Sequence, residues 1–132
     1  MGAILTGGFI QRKYLTLRTD GRHENKLTFP TLSIGGELDG LARVTRFAEA
    51  LYTQGQNSAT PFSKFPVAVV KGASHNSFSS GAPSSFVKSN DLMPEVSEQD
   101  GHKAIAKHAV DFMNSLIGGS AYVEDSFTTS LL

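Results

Sequence analysis

Apolar residues fall into short unbroken runs in the first half of the chain and into helical spacing later. Ala3 to Thr6 is an apolar run closed by Gly7-Gly8, the pattern of a buried strand ending in a turn. Pro30 opens a second run, Thr31-Leu32-Ser33-Ile34, which stops at Gly35-Gly36. The third, Pro66-Val67-Ala68-Val69-Val70, is the most β-branched and stops at Lys71-Gly72. Between the last two, Leu41, Val44, Phe47, Ala48 and Leu51 recur at intervals of three and four, so the spacing predicts an amphipathic helix over Leu41 to Tyr52. Ile105, Ala109, Phe112 and Leu116 repeat that spacing, and Ser97 with Asp100 resembles a capping box, so a second helix is predicted from about Glu98 to Ile117, stopped by Gly118-Gly119.

The remaining stretches are polar. Residues 11 to 29, with a turn signal at Asp20-Gly21, are predicted to be a surface loop, as are Gly55 to Ser63. Asn76 to Val96 is rich in Ser, Gly, Pro and Asn, too long for a simple connection and too poor in periodicity for a helix, and is expected to form an ordered functional loop. Residues 119–132 are expected to be a weakly ordered tail. Continuous apolar strands alternating with helices belong to parallel sheets covered on both faces, so the predicted class is α/β.

Length and charge narrow the picture. A chain of 132 residues is one domain's worth of sequence, and 12 basic against 12 acidic residues leave no net charge. With no basic stripe either, nucleic acid and anionic membrane surfaces are not expected partners. The start of the chain lacks the basic region of a signal peptide, and no segment approaches the ~18 apolar residues of a membrane span. The absence of cysteine excludes disulfides, thiolate metal sites and a cysteine nucleophile, and carries no information on compartment.

Reactive groups in parallel sheets collect beyond the carboxyl ends of strands. Asp39 and Glu37 follow the second predicted strand, and His75 follows the third. The 36 residues from Asp39 to His75 leave room for one helix and one return strand, so the two loops are expected side by side. Either carboxylate could meet the imidazole, since residues two apart in an extended stretch point the same way. A carboxylate and a histidine are two of the three groups that activate a serine.

Ile34-Gly35-Gly36-Glu37-Leu38-Asp39 followed by Val70-Lys71-Gly72-Ala73-Ser74-His75 resembles the acid and histidine strand ends of the α/β-hydrolase fold. The resemblance covers residues 2 to about 118. It implies that Ala3 to Gly8 match the strand after the nucleophile helix, that the helix from Leu41 links the last two strands, and that the helix from Glu98 is the terminal one. It also implies that Asp39 is the triad acid, with Glu37 as the competing carboxylate, and that His75 is the general base and then general acid. No Gly-x-Ser-x-Gly occurs in the sequence, and nothing before Ala3 supplies a nucleophile elbow or oxyanion hole. The expectation is therefore a partial α/β-hydrolase, residues 1–118 forming the carboxyl-terminal portion of an esterase- or lipase-like domain, with Met1 falling inside a longer parent. In the intact enzyme a small-molecule ester would be the substrate; this chain alone is expected to be inactive.

Other features argue for less. Ser74, Ser77, Ser79 and Ser80 lie near His75 in sequence but lack the strained turn that exposes a catalytic serine. His102 and His108, six apart on one helix, lie on different faces and make no two-histidine metal clamp, and His23 has no evident partner. Gly7-Gly8 is not followed by the lysine or further glycine of a phosphate cradle. No metal or cofactor is expected. Phe9, Ile10, Tyr14, Phe78, Phe86, Leu92 and Met93 flank the crevice loops and could line an acyl or alcohol pocket, or fill space beneath those loops. The competing readings are a non-catalytic interaction module built on a truncated sheet, self-associating through exposed strand edges, and an unrelated α/β domain in which Asp39 and His75 never approach one another.

Overall fold

The computed structural model describes residues 1–9, 15–17, 23–25, 29–55 and 65–119, with the backbone alone for 15–17, 23–25 and 51–55. Three parallel strands form the central sheet: β1 (Ala3–Thr6), β4 (Thr31–Gly36) and β5 (Val67–Val70), in the order β1-β4-β5. Ala3 pairs with Thr31 at one end of the β1–β4 ladder, and Gly36 with Val70 at one end of the β4–β5 ladder. Helix α1 (Val44–Gly55) connects β4 to β5. After β5 come a 3₁₀ turn (His75–Phe78), α2 (Ser85–Asn90) and the long α3 (Glu98–Gly118).

The unbroken apolar runs are explained by two covered faces. Leu32, Ile34, Ala68 and Val70 pack with Ala73 and with Phe112 of α3, while Val67 and Val69 pack with Phe47 of α1. Alternate side chains of one strand thus enter different cores, so both parities must be apolar or small. Gly35 points to the α1 face, where the Phe47 ring fills the space a Cβ would take, its nearest atom 2.6 Å away. Phe47, Phe65 and Phe112 are the largest fully buried side chains. Burial of each contributes about 2–3 kcal/mol before entropy is charged against it.

Four expectations need correction. Residues 11–29 are not wholly a loop: β2 (Leu15–Leu17) and β3 (His23–Asn25) pair antiparallel, and strands of three residues are too short for a period-two pattern to announce them in sequence. The backbone of His23 pairs with Leu17 in that ladder. The first helix begins at Val44 rather than Leu41, and among its described side chains Phe47 and Ala50 are buried and Ala48 is exposed. The stretch after His75 does contain a helix, α2, started by the Ser84 side chain accepting from the Val87 N–H at 3.3 Å. A six-residue helix is too short for periodicity to reveal it.

Helix α3 is close to the sequence expectation. Ser97 accepts from the Asp100 N–H at 3.1 Å, and Gly119 closes the helix in the left-handed region at φ 67°. The tail from 120 onward and the loop from 56 to 64 lie outside the described residues.

Candidate functional site

Strands β4 and β5 are neighbours and parallel, so their carboxyl ends lie together and their loops leave from one edge. Pairing continues past both strands: Glu37 N–H donates to Val70 O at 3.0 Å and Leu38 N–H to Ala73 O at 2.9 Å. The chain then turns, with Asp39 N–H reaching back to Gly36 O at 3.3 Å.

That turn decides which carboxylate meets the histidine. Residues 37 to 39 are no longer extended, so Glu37 and Asp39 diverge instead of sharing a direction. Asp39 is 3% exposed, and its Oδ2 lies 2.9 Å from His75 Nδ1. Its Oδ1 accepts from the N–H groups of Leu41 at 2.9 Å and Ala42 at 2.6 Å. Glu37 turns the other way, and its Oε2 accepts from the Gly72 N–H at 2.9 Å. Glu37 therefore fastens the two loops rather than competing for the imidazole.

His75 reaches this position by a short tight path. Gly72 adopts φ 69°, a conformation that only glycine takes freely, and turns the chain out of β5. Ala73 and Ser74 are fully buried, and the Ser74 N–H donates to Ser77 Oγ at 3.0 Å, fixing the 3₁₀ turn that starts at His75. The His75 side chain keeps about a third of its surface, 32%, in solvent. Asp39 Oδ1 already holds two backbone donors, which fits a carboxylate acting as acceptor, so Nδ1 is the donating nitrogen, and in a neutral imidazole Nε2 then carries the lone pair. Among the described residues Nε2 has no hydrogen-bond partner. An imidazole held at one nitrogen by a buried carboxylate and unengaged at the other can accept a proton from an incoming hydroxyl.

A third acid belongs to this region. Asp91, just past α2, accepts at Oδ1 from Gly40 N–H (3.0 Å) and His75 N–H (3.1 Å), and at Oδ2 from Asn76 N–H (2.9 Å). Burial works against its charge, but the Gly40, Asn76 and His75 N–H groups outweigh it and hold the carboxyl below its ordinary value. Sequence reasoning passed over Asp91. The available signal was that only two acids, Asp91 and Glu95, occur in the long polar stretch after the histidine.

Of the remaining candidates, Ser80 is exposed and Ser74 Oγ is buried with no hydrogen-bond partner among the described residues. Ser77 Oγ accepts from Ser74, and Ser79 Oγ donates to Asn76 O at 3.3 Å. His102 Nε2 lies 3.3 Å from Ser79 O, and burial, aided by Lys107, lowers the pKa of His108 on α3. Gly7, at φ 62°, ends β1 with Phe78 packed against it, the nearest ring atom 3.2 Å from where a Cβ would sit. Of the proposed pocket residues, Phe9 stacks edge-on against Phe47 at 5.1 Å, Phe86, Leu92 and Met93 are exposed, and Ile10 and Tyr14 lie outside the described residues. The approach of Asp39 to His75 excludes the reading in which they stay apart.

No protein-family model, no curated protein and no solved structure matches this chain. Fold and geometry define an α/β domain in which a buried carboxylate orients a half-exposed histidine at the carboxyl edge of a parallel sheet.

Proposed function

We propose that Asp39 and His75 are the acid and base of a serine-hydrolase site, and that the chain is the carboxyl-terminal portion of an α/β-hydrolase domain acting on small esters by acyl transfer. The supporting observation is the 2.9 Å contact from buried Asp39 to His75 Nδ1 at adjoining strand ends, with Nε2 left to serve a nucleophile. No Gly-x-Ser-x-Gly lies within the 132 residues, so this reading requires a nucleophile supplied by another polypeptide segment. Without nucleophile and oxyanion donors, the lost rate enhancement is on the order of 10⁶-fold in comparable triads.

The test is to read the coding frame upstream of Met1 for a Gly-x-Ser-x-Gly and to assay short-chain ester hydrolysis by this chain alone and joined to that segment. Turnover only in the joined protein, abolished by His75→Ala, is the expected result. Turnover by the chain alone would overturn the external nucleophile, and a joined protein indifferent to His75→Ala would overturn the site.

A second reading, a non-catalytic module that self-associates, draws on one observation. Among the described residues β1 and β5 each pair on one side only, and an unpaired strand edge can accept another strand. Size-exclusion chromatography with hydrogen exchange on Ala3–Thr6 tests it: a monomer with fast-exchanging β1 amides would count against it.

A further inference from the structure

We infer that Asp91 is a positioning residue that sets the distance between Asp39 and His75 by gripping the backbone of both loops with one carboxylate; this rests on the acid–base reading above. Gly40 immediately follows Asp39, and His75 is the base itself, yet both N–H groups converge on the same oxygen, Oδ1, at 3.0 and 3.1 Å. Oδ2 takes the next amide along, Asn76, at 2.9 Å. Moving either loop relative to the other therefore breaks a charge-assisted hydrogen bond, the strong kind.

Two further features hold Asp91 in place. Its own N–H donates to Val87 O at 2.8 Å, so the residue finishes α2 instead of riding on a free loop. At position 40 the chain has glycine, and a Cβ there would lie 2.1 Å from Asn90 O and 2.8 Å from Asp91 Cα. The end of α2 thus closes directly onto the backbone beside the triad acid, an approach that any side chain at 40 would block. Asp91 touches the reacting groups only through main chain, so its contribution is to geometry.

The experiment is nuclear magnetic resonance on the ¹⁵N-labelled full chain, reading the His75 ring nitrogens and the Nδ1–H proton. The native chain should show a single tautomer with a hydrogen-bonded Nδ1–H. Asp91→Ala should lose that proton signal and average the two tautomers while the β5 and α3 amide signals stay in place. Asp91→Asn, equal in shape and keeping one acceptor oxygen, should retain part of the signal. An unchanged Nδ1–H in Asp91→Ala would overturn the inference.

An acid titration of the native chain supplies a second measurement that needs no folded alanine variant. The Gly40, His75 and Asn76 amide protons should shift with one shared midpoint, and that shared shift should vanish in Asp91→Asn. Separate midpoints, or a shared one surviving in Asp91→Asn, would equally overturn it. Neither readout uses ester turnover, so failure of the hydrolase reading and failure of the positioning role give different results.

Discussion

The two sides of the small sheet are built to different standards. Every residue of β4 and β5 is buried, and past their carboxyl ends the loops are tied by main-chain bonds from Glu37 and Leu38, by Glu37 on Gly72, and by Asp91 on three amides. Strand β1 is half-buried, ends on exposed Thr6, and its flanking bonds, Ala3 N–H to Pro30 O at 3.0 Å and Gly7 N–H to Ile34 O at 2.8 Å, run only toward β4. The ties are thus concentrated where a carboxylate and an imidazole meet, and they thin out one strand away. A site of this kind needs fixed geometry in its supports more than in its surroundings.

The largest effect should come from crowding the tied side. A Cβ on Gly36 would stand 2.4 Å from Ala73 O and 2.9 Å from Ala73 C, both main-chain atoms that cannot swing aside. Gly36→Ala should cost about 3 kcal/mol, the upper range for overpacking, and should weaken the His75 Nδ1–H signal because Ala73 leads directly to the histidine. Urea unfolding measures the first and proton resonance the second. A cost below about 0.5 kcal/mol, that of an ordinary surface change, would show that the loops are not closely fitted.

Next come the two carboxylates of one loop. Asp39→Ala strips the acceptor from the Leu41 and Ala42 amides and from the imidazole, and should cost about 2 kcal/mol as buried donors go unsatisfied. Glu37→Ala leaves only the Gly72 amide without its partner and should cost about 1 kcal/mol. Only the first should release the His75 tautomer, as nitrogen shifts would record. Equal effects on the ring would mean that Glu37 shares the acid's role.

How far this division could be read from sequence depends on the scale of the signal. The strands were legible because Leu32, Ile34, Val67 and Val69 enter two separate cores and must all be apolar. Asp39 and His75 were legible because glycines mark the strand ends they follow. Glu37 stayed a competitor to Asp39 in the sequence because the parity argument assumes extended backbone, whereas the bond from Asp39 N–H to Gly36 O turns the chain there. Asp91 was invisible because its partners are main-chain amides of residues 15 to 51 positions away, which leave no trace in side-chain spacing.

Acid should separate Asp91 at the site from His108 on α3. The Asp91 carboxyl titrates below its ordinary 3.8 in the folded chain, so its stabilisation is complete above that value and is lost as pH falls through the lowered one. Burial, with Lys107 adding and Asp111 opposing, lowers His108 from its ordinary 6.5, so the unfolded chain binds that proton first and stability declines as pH drops below 6.5. Stability measured against pH should therefore fall in two steps, the His108 step at higher pH than the Asp91 step. His108→Gln should remove the upper step and Asp91→Asn the lower; a single step unaffected by either would contradict the assignment.

The smallest effect belongs to the β1 side and provides the counterpart to Gly36. A Cβ on Gly2 would meet Leu116 Cδ1 at 2.5 Å and Pro30 O at 3.3 Å. The first is the tip of a flexible side chain on a surface that is already 38% exposed, so it can rotate into solvent, and the second asks for a shift of a few tenths of an ångström. Replacing glycine also removes conformational freedom from the unfolded chain, a gain of about 0.4–1 kcal/mol where the backbone permits the new residue. Gly2 is not among the glycines at positive φ, so that gain applies and roughly offsets the crowding. Gly2→Ala should change the unfolding free energy by less than about 0.5 kcal/mol and leave His75 resonances untouched. A loss approaching that of Gly36→Ala, or a disturbed imidazole, would mean that the β1 edge is coupled to the site as tightly as β5, and that the sheet has one standard of rigidity throughout.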